Sequence, residues 1–179
     1  MIDPISASRV GYRGLFVLLS LVIIFAQILP LNTIPAQFPG PDFLLCITLV
    51  WVQRRPDYVP ALIVALVFVL EDLLTMRPPG LWPLIVLIGT EFLRRREATL
   101  RDMPFVLDWI MTSGVIIAMV AANWLILFVF IVPNAGIGPV ILQALATMVA
   151  YPIVVLITLF AIGVRRVAKG EVDALGHRL

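Results

Sequence analysis

The residues in this chain best placed to do chemistry are acids set in apolar surroundings. Glu71 and Asp72 stand side by side near the end of one apolar run, and Glu91 sits near the end of the next. Paired carboxylates raise two possibilities, an intramembrane aspartyl protease and a proton relay. The protease needs two acids on two facing helices with a Gly-x-Gly-Asp element. Here the pair are neighbours on one helix, and the nearest glycine context is Pro79-Gly80. The lone cysteine, Cys46, lies within an apolar run, and the lone histidine, His177, sits at the very end of the chain. Such counts argue against a zinc site, a Cys-His nucleophile pair and a Ser-His pair. No Gly-rich phosphate loop is present to hold a nucleotide. The sequence therefore reads as non-enzymatic, with no metal and no cofactor.

The surroundings of those acids are set by composition. Of 179 residues, 61% are hydrophobic and 13% charged, where soluble domains carry roughly 25% charged residues. The mean hydropathy of +1.07 agrees with a membrane protein. Inside hydrocarbon an ionised carboxylate is costly unless it faces protein, water or a counter-charge. A net charge of +2 could suggest nucleic-acid binding. The basic residues sit at the ends of apolar runs, however, which is a topology signal, and no nucleic-acid partner is expected.

The elements that must position the acids are six apolar runs, at about 14–30, 39–53, 59–76, 81–93, 105–132 and 140–164. They predict an all-α polytopic membrane protein: one integral membrane domain over 1–179, folded as a six-helix bundle. The basic lead before the first run resembles a signal peptide but lacks a small-x-small cleavage site, so a retained helix is expected. Of the 13 Lys and Arg, all but Arg77 fall on one side when both termini are placed in the cytoplasm. Phe43 to Val52 is only about 15 Å of helix, so either the Pro-rich segment before it dips into the membrane or its neighbours shield it. Ala61 and Ala65 share a stripe with Asp72, which turns Asp72 inward; Glu71 is less clearly placed. Gly114, Ala118 and Ala122 are read as a packing face, with Asn123 beside it. Gln143, Thr147 and Tyr151 form one stripe expected to hydrogen-bond to other helices. Glu91 counts among the interior polar candidates, although Arg94 and Arg95 at i+3 and i+4 suit ion pairing at a helix end.

Pro41-Asp42 before a short apolar run, the Arg54-Arg55 turn, the helix ending Glu71-Asp72-Leu73-Leu74 and the Pro79-Gly80-Leu81 turn together resemble the MreD family, the rod shape-determining membrane proteins of bacteria. The form with Glu71 before Asp72 and Arg77-Pro78-Pro79-Gly80 after it is similar to the alphaproteobacterial branch. The family often has a glycine on the third helix before the Asp; Val59 to Leu70 has none, and Ala65 can stand in for it. The resemblance implies a multi-pass scaffold of the bacterial inner membrane, with a fold similar to the substrate-binding S components of energy-coupling-factor transporters. It implies direct binding to MreC and shared membership of a complex with MreB, RodA and its transpeptidase, in contact with membrane lipid and supporting side-wall peptidoglycan synthesis. Pro41, Asp42, Glu71, Asp72, Arg77, Pro79 and Gly80 would then be partner-binding or structural. A second reading is a small-molecule-binding subunit of a transporter, since two short, Pro-flanked runs point to a midplane site.

Overall fold

The computed structural model describes residues 4–29, 40–96, 103–132 and 136–162, and all regular structure among them is helical. In chain order the helices are α1 (Pro4–Ile28), α2 (Phe43–Arg54), α3 (Ala61–Leu74), α4 (Leu81–Arg95), α5 (Phe105–Val129) and α6 (Ile137–Ile157). A single 3-10 turn, Pro56–Tyr58, joins α2 to α3, and a π-helical turn, Thr158–Ile162, extends α6. Three helical stretches are long and apolar enough to cross a membrane: Arg9–Ile28, Phe105–Val129 and Ile137–Phe160. The expected first helix begins ten residues earlier than its apolar run, at Pro4. The Pro30–Pro39 segment, Arg101 and the tail from Arg165 lie outside the described residues.

The short second helix is the centre of the protein. Its 12 residues reach about 18 Å, and every one from Leu44 to Arg54 is buried. Its neighbours shield it: α2 packs on α1, α4 and α6, while the Pro-rich segment of the other alternative lies outside the described residues. Trp51 is fully buried, with its ring 6.4 Å from Tyr12 and 5.6 Å from Phe16 of α1. Around this apolar core the outer surface is apolar as well, and a few hydroxyls are taken inside. Ser20, Thr48, Thr90, Thr112 and Thr147 are buried, while Leu18, Val22, Phe25, Leu66, Ile88, Ile117, Phe128 and Ile153 face outward. An apolar exterior with a few buried hydroxyls between helices is what a lipid solvent selects, because helix contacts there rest on packing and hydrogen bonds.

Two packing stripes differ from expectation. Gly114 and Ala118 are exposed, and a Cβ on Gly114 would meet nothing within 4 Å. The buried face of α5 is instead Asp108, Thr112, Val115, Ile116 and Met119. The close approach comes from the facing helix, where Gly89 of α4 leaves the space that Met119 fills. On α3, Ala61 is exposed and the buried stripe runs Val64, Val67, Phe68, Glu71 and Asp72. Both acids are therefore interior, but bulky residues rather than alanines bring them there.

Basic residues from α1 and α4 gather around the turn between α2 and α3. Arg9 pairs with Asp57 at 3.6 Å, the Arg13 Nε donates to the Asp57 carbonyl at 3.1 Å, and Arg94 donates to the Val59 carbonyl at 2.7 Å. Tyr12 stacks on Tyr58 at 4.5 Å and fixes α1 to the 3-10 turn. Arg77 lies at the opposite end of α3.

Candidate functional site

The site is built from the turn that closes α3 onto α4. The Arg77 N–H reaches back to the Asp72 carbonyl at 3.0 Å, with Met76 left-handed at φ 56°. That hydrogen bond satisfies a carbonyl the helix would otherwise strand, and it ends α3. Pro78 and Pro79 cannot donate backbone hydrogen bonds, and Gly80 enters α4 at φ 98°, a conformation that glycine adopts freely. The Asp72 carboxylate accepts the Gly80 N–H at 3.0 Å and ties the end of α3 to the start of α4. Beside it, Glu71 is 1% exposed and faces the Arg77 guanidinium at 3.9 Å.

Asp42 approaches from the N-terminus of α2. Its carboxylate caps that helix by accepting the Leu45 N–H at 2.8 Å, and its own N–H donates to the Thr147 hydroxyl of α6 at 3.0 Å. Thr147 donates in turn to the Gln143 carbonyl at 2.7 Å. The pairing explains why a threonine sits mid-helix: its oxygen receives a neighbouring helix while its proton is absorbed by its own backbone.

These residues converge on a cavity of about 400 Å³. Asp42, Asp72, Arg77, Asn123, Gln143 and Thr147 line it, brought together from α2, the α3–α4 turn, α5 and α6. Two tryptophans that the sequence reading passed over complete it: Trp82 on α4 and Trp124 on α5. Pro41 precedes the α2 cap, Pro79 stands in the turn next to Gly80, and Glu71 lies behind Arg77. Glu91 is not interior. Its side chain is 45% exposed and pairs with Arg94 at 3.5 Å and Arg95 at 3.3 Å, as its i+3 and i+4 spacing allows. Tyr151 also stands away from the cavity, at the basic end.

There Tyr151 belongs to a buried polar network that sequence reasoning found only in part. Its hydroxyl donates to Gln53 Oε1 at 3.2 Å, Gln53 Nε2 donates to the Thr112 hydroxyl at 2.8 Å, and Thr112 donates to the Asp108 carbonyl at 2.8 Å. The network joins α2, α5 and α6. Gln53→Leu should cost about 1–3 kcal/mol by removing two buried partners at once. A thermal melt in detergent checks this, and Gln53→Glu should restore only the Tyr151 side. The signal for this network was the lone amide ending an apolar run, together with Asp108 and Thr112 one turn apart.

Comparison of the chain with protein-family models, with characterised proteins and with solved structures finds no match.

Proposed function

We propose that the chain is a non-enzymatic membrane scaffold of the MreD type, spanning the bacterial inner membrane six times and binding MreC in the complex that builds the side wall. The observation that carries this reading is the Asp72–Gly80 hydrogen bond at 3.0 Å. It joins residues from two of the motifs that carry the resemblance and makes them one structural unit. Asp42 and Arg77, from the same motif, line the cavity beside that unit. On this reading Asp72 holds the α3–α4 turn in the shape that MreC recognises. Affinity purification of the tagged chain from its host tests it: MreC should co-purify, with RodA and MreB in lesser yield. Recovery of an energising ATPase in place of MreC would contradict the scaffold. It would support the second reading, a small-molecule-binding transporter subunit, which the cavity of about 400 Å³ favours.

The six-span topology puts the basic end in the cytoplasm and Arg77 outside, following the positive-inside rule. The 12, 14 and 15 residues of α2, α3 and α4 are short for the hydrocarbon core. Burial of α2 within the bundle relieves that mismatch, and flanking loops and arginines extend α3 and α4. A cysteine placed at Arg96 in a Cys46→Ser background should resist an impermeant thiol reagent in intact cells and react once the membrane is opened. Labelling in intact cells would reverse the orientation.

A further inference from the structure

The rim and the floor of the polar cavity differ in character. Met76, Arg77 and Pro78 line it from exposed positions beyond the end of α3, whereas Leu45 of α2 and Ala144 and Thr147 of α6 line it from buried ones. The cavity therefore opens at the Arg77 end and reaches inward to the start of α2. Its charged groups are already engaged within the protein. The Asp42 carboxylate caps α2, the Asp72 carboxylate is enclosed and holds the Gly80 N–H, and the Arg77 guanidinium faces Glu71 at 3.9 Å. Two side chains on the wall are not engaged. Asn123 of α5 and Gln143 of α6 are half-buried, and neither side chain hydrogen-bonds to another described residue. Their amides are also not sealed into the packing, as the indole nitrogens of Trp82 and Trp124 are. Each amide offers two N–H donors and a carbonyl acceptor. The ring of Trp124, stacked on Phe128 at 5.3 Å, adds a fixed apolar surface to the same wall.

We infer that this cavity binds one small uncharged molecule with adjacent hydrogen-bond donors and acceptors, a polyol or a carboxamide, held by the amides of Asn123 and Gln143. Its volume of about 400 Å³ lies within the range of small-molecule sites. Charge is what the site selects against. An anion would sit near two lining carboxylates, with the one guanidinium already facing Glu71. A cation would find Asp72 shut away and Asp42 engaged in its cap. Either ion gives up its hydration without gaining a free counter-charge. A neutral donor and acceptor give up less, and an amide on each of two helices can replace the water they lose. The inference rests on the second reading only in taking the cavity as a ligand site. It is therefore read on the purified chain alone, and its failure leaves the identity of the co-purifying partner untouched.

Saturation-transfer NMR on the protein in neutral detergent, with empty micelles as the blank, tests it. The probes form two matched sets: glucose, glucosamine and glucuronate, and N-acetylglycinamide, glycinamide and N-acetylglycine. A mildly acidic buffer keeps both amines and both acids charged. The uncharged member of at least one set should bind about tenfold more tightly than its charged counterparts, the scale of one net hydrogen bond. Which set does so separates a polyol from a carboxamide. Asn123→Leu and Gln143→Leu should each melt near wild type and weaken that binding about tenfold. Val140→Phe fills the cavity from a half-buried wall position and should abolish it. Failure of both uncharged probes to bind would overturn the proposal, since water alone would then fill the space. So would a charged probe that binds as tightly as the uncharged one of its set, or binding left unchanged in both leucine variants. The comparison of charges is made on wild-type protein, so it decides the matter even where a variant fails to fold.

Discussion

Trp51→Ala should cost on the order of 3 kcal/mol of stability, the largest effect of any single substitution considered. The indole is fully buried in α2 and meets Tyr12 and Phe16 of α1. In a lipid solvent the transfer component of that cost is small, because the unfolded helix already lies in an apolar medium. The packing component remains: the cavity left behind strips contacts from every neighbour. Trp51→Phe should recover more than half of the loss. Chemical unfolding in mixed micelles measures both. Near-wild-type stability of the alanine variant would mean that α2 is not the element on which the bundle is built.

Asp72→Leu should be the most damaging change at the cavity. It takes the acceptor from the Gly80 N–H, at a cost of about 1–3 kcal/mol, and frees the α3–α4 turn from the helix before it. On the scaffold reading the variant should insert at normal levels yet recover less than a tenth of the MreC that wild type does, an order-of-magnitude loss expected when a recognition element is no longer held in place. Asp72→Asn separates geometry from charge. It can still accept from Gly80 and should retain most MreC association. Pull-down of MreC with each variant, normalised to membrane abundance, gives the comparison.

Much of this architecture can be read from sequence because hydropathy marks apolar helices directly. The order of the helices, the shortness of the run at Phe43 and the ion pairs of Glu91 all follow from residue type and spacing. Side-chain partners across helices do not. Ala61 and Ala65 share a stripe with Asp72, but larger neighbours at Val64, Val67 and Phe68 take the contact, and they carry Glu71 inward as well. Gly114 looks like a packing glycine, yet Gly89 is the one that meets another helix, because only the facing surface decides which small residue is used. Trp82 and Trp124 carry no signal in the sequence that ties them to Asp72; only the fold brings them to the same cavity. Asp108 lies in the first turn of α5, and only the fold shows that it is buried there with Thr112. In each case the missing information is the identity of the neighbour, which local periodicity does not carry.

The central claim, that this chain scaffolds side-wall growth, is tested most directly by depleting it from its own host and scoring cell shape. The account predicts that rods swell into spheres. Wild-type protein should restore them, and Asp72→Leu, present in the membrane at equal abundance, should not. Cells that keep their rod shape through depletion would contradict the account.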